Sequence, residues 1–326
     1  MRRTSARFKL ASAVAVTAAA ATLGGITAAG ASEPASEAAS ENETLAVGTP
    51  TGFGAATTGG AGGETVTVSD ADAFIEAAES EGPLQIEVDG TIQLDDMANV
   101  SSDKTIIGVG SGSGFDGSGL NVSEADNVII QNLVFANSND DGINVQYSTN
   151  VWIDHNDFTN PNDGALDIKR ASTGITVSWN HTYDSDKNML LGHDDDNASE
   201  DVGSLNVTYH HNWFDSVNQR NPRVRFGDPV HVYNNYYNDI GSYGVASTQD
   251  AGVLVEANYF ENTEDPFHLG EGDSGPGSLE AVDNHFENSG EGETGGSVAD
   301  IPYSYTPDAA ADVKSIVTGG AGVGNI

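Results

Sequence analysis

The chain has 326 residues, no cysteine, and 12 Lys+Arg against 49 Asp+Glu, a formal net charge of −37. Without cysteine there is no disulfide framework, thiol nucleophile or cysteine-based zinc site. No extended basic face exists for phosphates, which excludes nucleic acid as a partner, and past the N-terminal stretch no apolar run is long enough to cross a membrane.

Residues 1–31 read as a secretory signal peptide. Arg2, Arg3, Arg7 and Lys9 precede an apolar stretch from Ala11 to Ile26, and Ala29-Gly30-Ala31 forms a cleavage site. Arg2-Arg3 suits twin-arginine export as well as general secretion, and either route predicts a secreted, extracellular protein. Cleavage leaves eight cationic side chains against 49 acidic ones. Such a surface repels itself at low salt and suits a halophilic setting. Residues 32–46 are Ala/Ser/Glu-rich and read as an acidic disordered linker, and 47–326 as one domain. Within it, Ser69-Asp70-Ala71-Asp72 opens an apolar run through Phe74, Ile75 and Ala78, the pattern of an N-capped helix.

A repeat then takes over. Six segments end an alternating apolar pattern on an asparagine, at Asn156, Asn180, Asn212, Asn235, Asn258 and Asn284, separated by 24, 32, 23, 23 and 26 residues. An aromatic follows two positions later in five of them: Phe158, Phe214, Tyr237, Phe260 and Phe286. NVIIQNLVF, ending at Phe135, is an earlier copy with one residue fewer. Alternation puts the apolar residues on one face of short strands, and a period near 23 means a solenoid. Asparagine at each strand end suits a bend, because it tolerates the left-handed conformation, and stacked copies can bond amide to amide. These features predict an all-β fold, a single-stranded right-handed parallel β-helix with short capping helices at each end. A β-sandwich would not repeat its turns so faithfully. Thr306-Pro307-Asp308 opens the second helix, through Val313, Ile316 and Val317. The 32-residue interval predicts an inserted loop, assigned Lys187 and the run Asp194-Asp195-Asp196.

Asp163 and Asp167, four apart in PNDGALDIKR, share a face, and Asp141 lies nearly one coil earlier. Carboxylates so stacked repel one another unless a hard cation such as Ca²⁺ joins them; abundant Asp also allows a solvated acidic surface. Six of the eight remaining cations fall between Lys169 and Arg225. Lys169 shares the face of Asp167, and Arg223 and Arg225 flank Val224 on one face, which suits an anion; internal salt bridges are the competing account. His155, His210, His211 and His231 sit in strand repeats without zinc spacing and read as packed residues, as do Trp152, Trp179 and Trp213.

At GFGAATTGG (52–60), NVWIDHN (150–156), GITVSWN (174–180) and QRNPRVRFG (219–227) followed by HVYNNYY, the chain resembles the pectate lyases, parallel β-helix polysaccharide lyases. The resemblance runs from about Thr51 to the C-terminus. It implies Ca²⁺-dependent β-elimination on polygalacturonate, the demethylated form of pectin, giving unsaturated oligogalacturonides. It places Asp141, Asp163 and Asp167 at the Ca²⁺ ligands, Lys187, Arg225 and Lys169 at the substrate carboxylate, and Arg220 as the base that removes the C5 proton. An acidic position of some members, two before Asp141, is Asn139 here, with Asp140 as its possible substitute. A guanidinium is protonated at neutral pH, so an arginine base predicts an alkaline optimum. The alternatives are a pectin lyase on methylated substrate, a β-helix hydrolase, and a non-catalytic carbohydrate-binding or surface β-helix. A β-helix capped at both ends predicts a monomer.

Overall fold

Strands this short cannot bury their apolar face alone, so they must stack. The computed structural model describes residues 46–326 and stacks them in parallel. The expected signal (1–31) lies outside the described residues, as does the expected linker (32–46) except for Ala46. Sheet 1 has ten strands, from Glu64–Val68 to Ser278–Val282. Sheet 2 has eight, from Ala98–Val100 to Phe267–Leu269, and sheet 3 has nine, from Thr91–Gln93 to His285–Glu287. One coil takes a strand from each, as in Ile143–Gln146 (sheet 2), Thr149–Asp154 (sheet 1) and Asp157–Thr159 (sheet 3). The fold is the parallel β-helix read from the repeat.

Register shows why it holds. Ile153, Val177, Tyr209, Val232 and Val255 pair in one inward row, every one fully buried. Each such side chain is worth roughly 1.5–3 kcal/mol on transfer from water. Beneath sheet 3, aromatic rings stack coil on coil. Phe115, Phe135 and Phe158 are spaced 5.6 and 5.1 Å apart, and Phe214, Tyr237, Phe260 and Phe286 are spaced 4.9, 4.4 and 5.6 Å apart. Thr182 takes the intervening place.

The asparagine ladder is continuous. Nδ2 of Asn156, Asn180, Asn212, Asn235 and Asn258 donates to the Oδ1 of the next at 3.0, 3.0, 2.9, 3.0 and 3.1 Å. The left-handed residue at each corner is not the ladder asparagine but the one before it: His155, Trp179, His211, Asn234, Ala257 and Asp283, with φ of 50–55°. The bend frees the asparagine to turn its amide inward. The earlier copy, expected to have one residue fewer, has the full length: Asp154 pairs with Gln131 and Asp157 with Val134, so Asn132 takes the left-handed corner (φ 58°) and Leu133 the ladder place, donating its N–H to Asn156 Oδ1 at 3.0 Å.

Helix α1 (Ala71–Glu79) forms as expected, with Asp70 Oδ1 accepting from Ala73 N at 3.0 Å. Phe74 lies 4.6 Å from Phe115 and closes the first coil. Residues 51–60 strap the outer face of sheet 1 through bonds such as Phe53 N to Thr208 Oγ1 and Gly60 N to Thr105 Oγ1. A Cβ on Gly60 would fall 2.0 Å from the Leu84 carbonyl oxygen, so only glycine passes. Helix α2 (Ala198–Asp201) lies in the insertion. Helix α3 (Ala310–Gly320) departs from expectation in place. Val313 and Val317 pack on Tyr236 and Tyr259, so α3 shields the flank of sheet 3 instead of the open end. It also starts after Pro307, because Asp308 N donates to Asn234 Oδ1 at 2.8 Å and is pulled onto the coil corner. The last coil is covered by an irregular segment, where Gly295 and Leu279 exchange backbone bonds at 2.8 and 3.0 Å.

Candidate active site

In sheet 2, Ile168, Leu191, Val224 and Ser247 pair in an inward row, fully buried. Their neighbours Asn144, Asp167, Leu190, Arg223 and Ala246 therefore line the outer face, with Lys169 and Arg225 two residues further along their strands. Alternation alone had placed Arg223 and Arg225 together against Val224, and they stand there.

The acids gather where the chain turns into this sheet. Gly164 N donates to Asp141 Oδ1 at 2.9 Å, joining one turn to the next coil's. Oxygens of Asp140, Asp141 and Asp163 lie within 4.8 Å of one another. Two of the three expected ligands are thus in the cluster, with Asp140 beside them. Asp167, the third, stands across Lys169, whose Nζ lies 3.2 Å from Asp167 Oδ2 and 3.3 Å from Asp141 Oδ2. Asp167 Oδ1 is buried without a partner. Burial, and then the Asp141 carboxylate, push the Asp167 carboxyl up to about 7 against the pull of Lys169. Burial also raises Asp141. For Lys169 burial disfavours the charge, but Asp167 and Asp141 outweigh it and hold the amine above its usual range. An all-carboxylate donor set with an orphaned buried oxygen beside it fits a hard divalent cation. Asn139 is turned away, accepting from Ser118 Oγ at 3.1 Å and donating to the Asp95 carbonyl at 2.9 Å. A cleft of about 450 Å³ lined by Asn137, Ser138, Asn139, Asn160, Pro161 and Asn162 continues from the same two turns.

The cations stand one coil away (Lys187) and two coils away (Arg220, Arg223 and Arg225). Lys187 Nζ lies 2.6 Å from Asp163 Oδ1. It does not belong to the insertion, as the long interval had suggested: Lys187 pairs with Gln219 just before the strand Met189–Leu191, and the extra residues come after that strand. Between Lys187↔Gln219 and Leu190↔Arg223 the pairing slips by one residue, so the neighbouring chain bulges at 220–222. Arg220 sits in that bulge with φ 61°, a left-handed conformation rare for its type. Its charge acts on Asp167 and Arg223. Among the described residues it makes no ion pair, and its Nε is buried without a partner. Arg223 donates to Ser274 Oγ at 2.7 Å; burial and then Arg225 and Arg220 lower its pKa. Arg225 Nε meets Asp195 Oδ1 at 2.7 Å. The Arg225–Asp195–Ser274 contact is the part that sequence reasoning missed, its only signal being the lengthened interval.

The strand histidines of sheet 1 and its corners, His155, His210, His211 and His231, stay out of this site. His210 bonds His211 at 2.9 Å and Thr51 at 3.0 Å, and His231 bonds Tyr303 at 2.8 Å, as packed residues do. Trp179 stacks on His211 at 4.3 Å.

A family model described as Pectate lyase matches residues 4–326. The chain belongs to the pectate lyase family. It is 38% identical over 296 residues to the pectate trisaccharide-lyase of Bacillus licheniformis, covering 83% of this chain and 84% of that one. It is 36% identical to pectate lyase plyB of Emericella nidulans, covering 82% and 85%. Among solved structures, a pectate lyase from a Bacillus species in complex with trigalacturonate matches with a TM-score of 0.77 and 33% identity, over 85% of this chain and 99% of that one. Jun a 1, the major allergen of cedar pollen, matches with a TM-score of 0.74 and 27% identity, over 83% and 92%. In this pectate lyase the acid cluster lies at the turns that enter sheet 2, and Asp167, Lys169, Arg223 and Arg225 stand on the outer face of that sheet.

Proposed function

We propose that the protein is a secreted, Ca²⁺-dependent pectate lyase that cleaves polygalacturonate by β-elimination and releases unsaturated oligogalacturonides. The observation that carries this reading is the meeting of Asp140, Asp141 and Asp163 within 4.8 Å, with Lys187 bonded to Asp163 and Lys169 set between Asp141 and Asp167. The trigalacturonate bound to the related Bacillus enzyme supports the substrate class.

Asp141, Asp163 and Asp167 would hold the ion, with Asp140 adjoining. Bound there, Ca²⁺ supplies positive charge that neutralises a uronate carboxylate and makes the neighbouring C5 proton acidic. Lys187 and Arg225 bind and orient that carboxylate, and Lys169 adds a third cationic contact. These groups are fixed in advance, so they stabilise charge as it builds on the carboxylate in the transition state. Arg220 takes the C5 proton. The C5–H pair becomes the C4–C5 double bond, the C4–O bond breaks, and the departing oxygen takes up a proton. Arg220 must be unprotonated to act, which requires an alkaline optimum.

Secretion rests on the character of residues 1–31, and a halophilic habit on the 49 acids. The packing of α1 on the first coil and the segment that bonds Leu279 on the last coil favour a monomer. The test is polygalacturonate with Ca²⁺ and then with chelator, following ultraviolet absorbance of the unsaturated product. Absorbance that chelator abolishes supports the reading. Reducing ends without absorbance mean a hydrolase, and neither signal means a binding protein.

A further inference from the structure

The insertion reaches back over the cationic face of sheet 2. It leaves the sheet after Leu191 and is anchored at α2, where Asp201 Oδ1 accepts from Ala171 N at 2.8 Å and Glu200 accepts from Tyr147 OH at 3.0 Å and Arg170 Nη1 at 3.3 Å. This anchoring sets Asp195 against Arg225. The Arg225 Nε donates to Asp195 Oδ1 at 2.7 Å, and its Nη1 donates to the Gly192 carbonyl at 3.4 Å. Gly192 must be glycine here: its φ is 95°, and a Cβ would fall 2.7 Å from Arg225 Cβ.

Asp195 is itself gripped. Ser274 Oγ, from the loop after the strand Phe267–Leu269 two coils beyond Arg225, lies 2.7 and 2.8 Å from its two carboxylate oxygens. The same hydroxyl accepts from Arg223 Nη2 at 2.7 Å. The hydroxyl therefore gives its one proton to Asp195 and its lone pair to Arg223, fixing both. A guanidinium presents five N–H donors in one plane. Asp195 takes the Nε donor and Gly192 an Nη1 donor, which fixes the plane from two sides and leaves the Nη2 donors for a second acceptor.

We propose that Asp195, held by Ser274, is a positioning residue that fixes the plane of the Arg225 guanidinium for a uronate carboxylate of the polymer. The assignment rests on the lyase reading above. It opposes a specific rival, in which Asp195 imitates the substrate carboxylate and must be displaced before the polymer binds. The two differ in sign. Removing a negative charge beside a polyanion's path favours binding by Coulomb attraction alone, and removing a competitor favours it further. Removing a positioning group weakens binding despite both.

The experiment compares the whole enzyme with Asp195→Asn, Ser274→Ala and, as a charge control, Asp194→Asn. Asp194 is half-exposed, pairs with His193 at 3.3 Å and accepts from Asp196 N at 2.9 Å, whereas the bonds of Arg225 go to Asp195 and Gly192. KM and kcat are measured on polygalacturonate at fixed Ca²⁺ and salt, with thermal melts to confirm folding. Asp195→Asn should raise KM roughly tenfold, with a smaller loss of kcat, since misplacing a binding group costs orientation. Ser274→Ala should raise KM several-fold while keeping every charge, and it decides the matter if Asp195→Asn does not fold. Asp194→Asn should leave KM unchanged or lower it. An unchanged or lowered KM in Asp195→Asn, with wild type active, overturns the positioning role alone. A wild type that yields no unsaturated product overturns the lyase reading and this role with it.

Discussion

Asn180 donates its side-chain amide to Asn212 at 3.0 Å across 32 residues, the same bond that Asn156 makes to Asn180 across 24. Eight extra residues pass between two rungs without altering the rung. The insertion is extruded as a loop because the ladder closes behind it.

The ladder is therefore a stability element. Asn212 bonds Asn235 Oδ1 through both its backbone and its side chain, donates to the Val177 carbonyl and accepts from Asn180. Asn212→Ala strands several of these buried groups and should cost roughly 3 kcal/mol. A urea midpoint equal to wild type would show that water or neighbours take over its bonds.

Burial should make the protein acid-sensitive at one named residue. It pushes His231 down to about 3 from an ordinary value of 6.5. The unfolded chain then binds a proton that the folded one refuses, so the neutral histidine's contribution is complete above 6.5 and is lost as pH falls toward 3. His231→Gln should gain on wild type as pH drops from about 6.5 to 4, read as the difference in urea midpoints. Parallel pH curves for the two proteins would contradict this.

Calcium should stabilise the fold. At a hundredfold excess over its Kd a ligand specific to the native state adds about 2.7 kcal/mol. Thermal melts should rise with Ca²⁺, fall with chelator, and lose this response in Asp163→Asn. Identical melts with and without the ion would remove Ca²⁺ from this site.

Arg220→Ala should lower kcat by roughly 10²–10⁴, the range for a general base, while binding of polygalacturonate persists. Wild-type kcat should climb from neutral to alkaline pH. A rate that is flat or falling over that range would assign the base to another group.

Salt should help activity. The 49 acids repel a polyanion, and added NaCl screens that repulsion at exposed distances while sparing short contacts such as Lys187–Asp163. Turnover at subsaturating substrate should hold or rise as NaCl goes from low to molar levels. Its loss, with the fold intact by circular dichroism, would refute the argument.

Much of the site was legible because a solenoid turns sequence distance into spatial distance. One coil is about as long as the gap from Asp141 to Asp163, so those two had to meet, and strand alternation put Arg223 and Arg225 on one face. Asp140 joined the cluster through the conformation of a turn, which no period encodes. Asp167 was rightly set on the face, but its neighbour is Lys169 more than the acid trio, a matter of side-chain reach. Helix α3 was legible as an apolar stripe, whereas its docking on Tyr236 and Tyr259 depends on which surface the returning chain meets first.

By itself, then, the sequence determined the coil: its period, its inward rows, the amide ladder and the face that carries the acids and cations. Those follow from contacts between neighbouring repeats, which are local in the solenoid and periodic in the chain. Only the tertiary structure decided that Asp195 reaches Arg225, that Arg220 rides a bulge, and that α3 covers a flank. Each of these depends on the path of an irregular segment, where no repeating backbone bond dictates direction and the nearest unsatisfied partner sets the course.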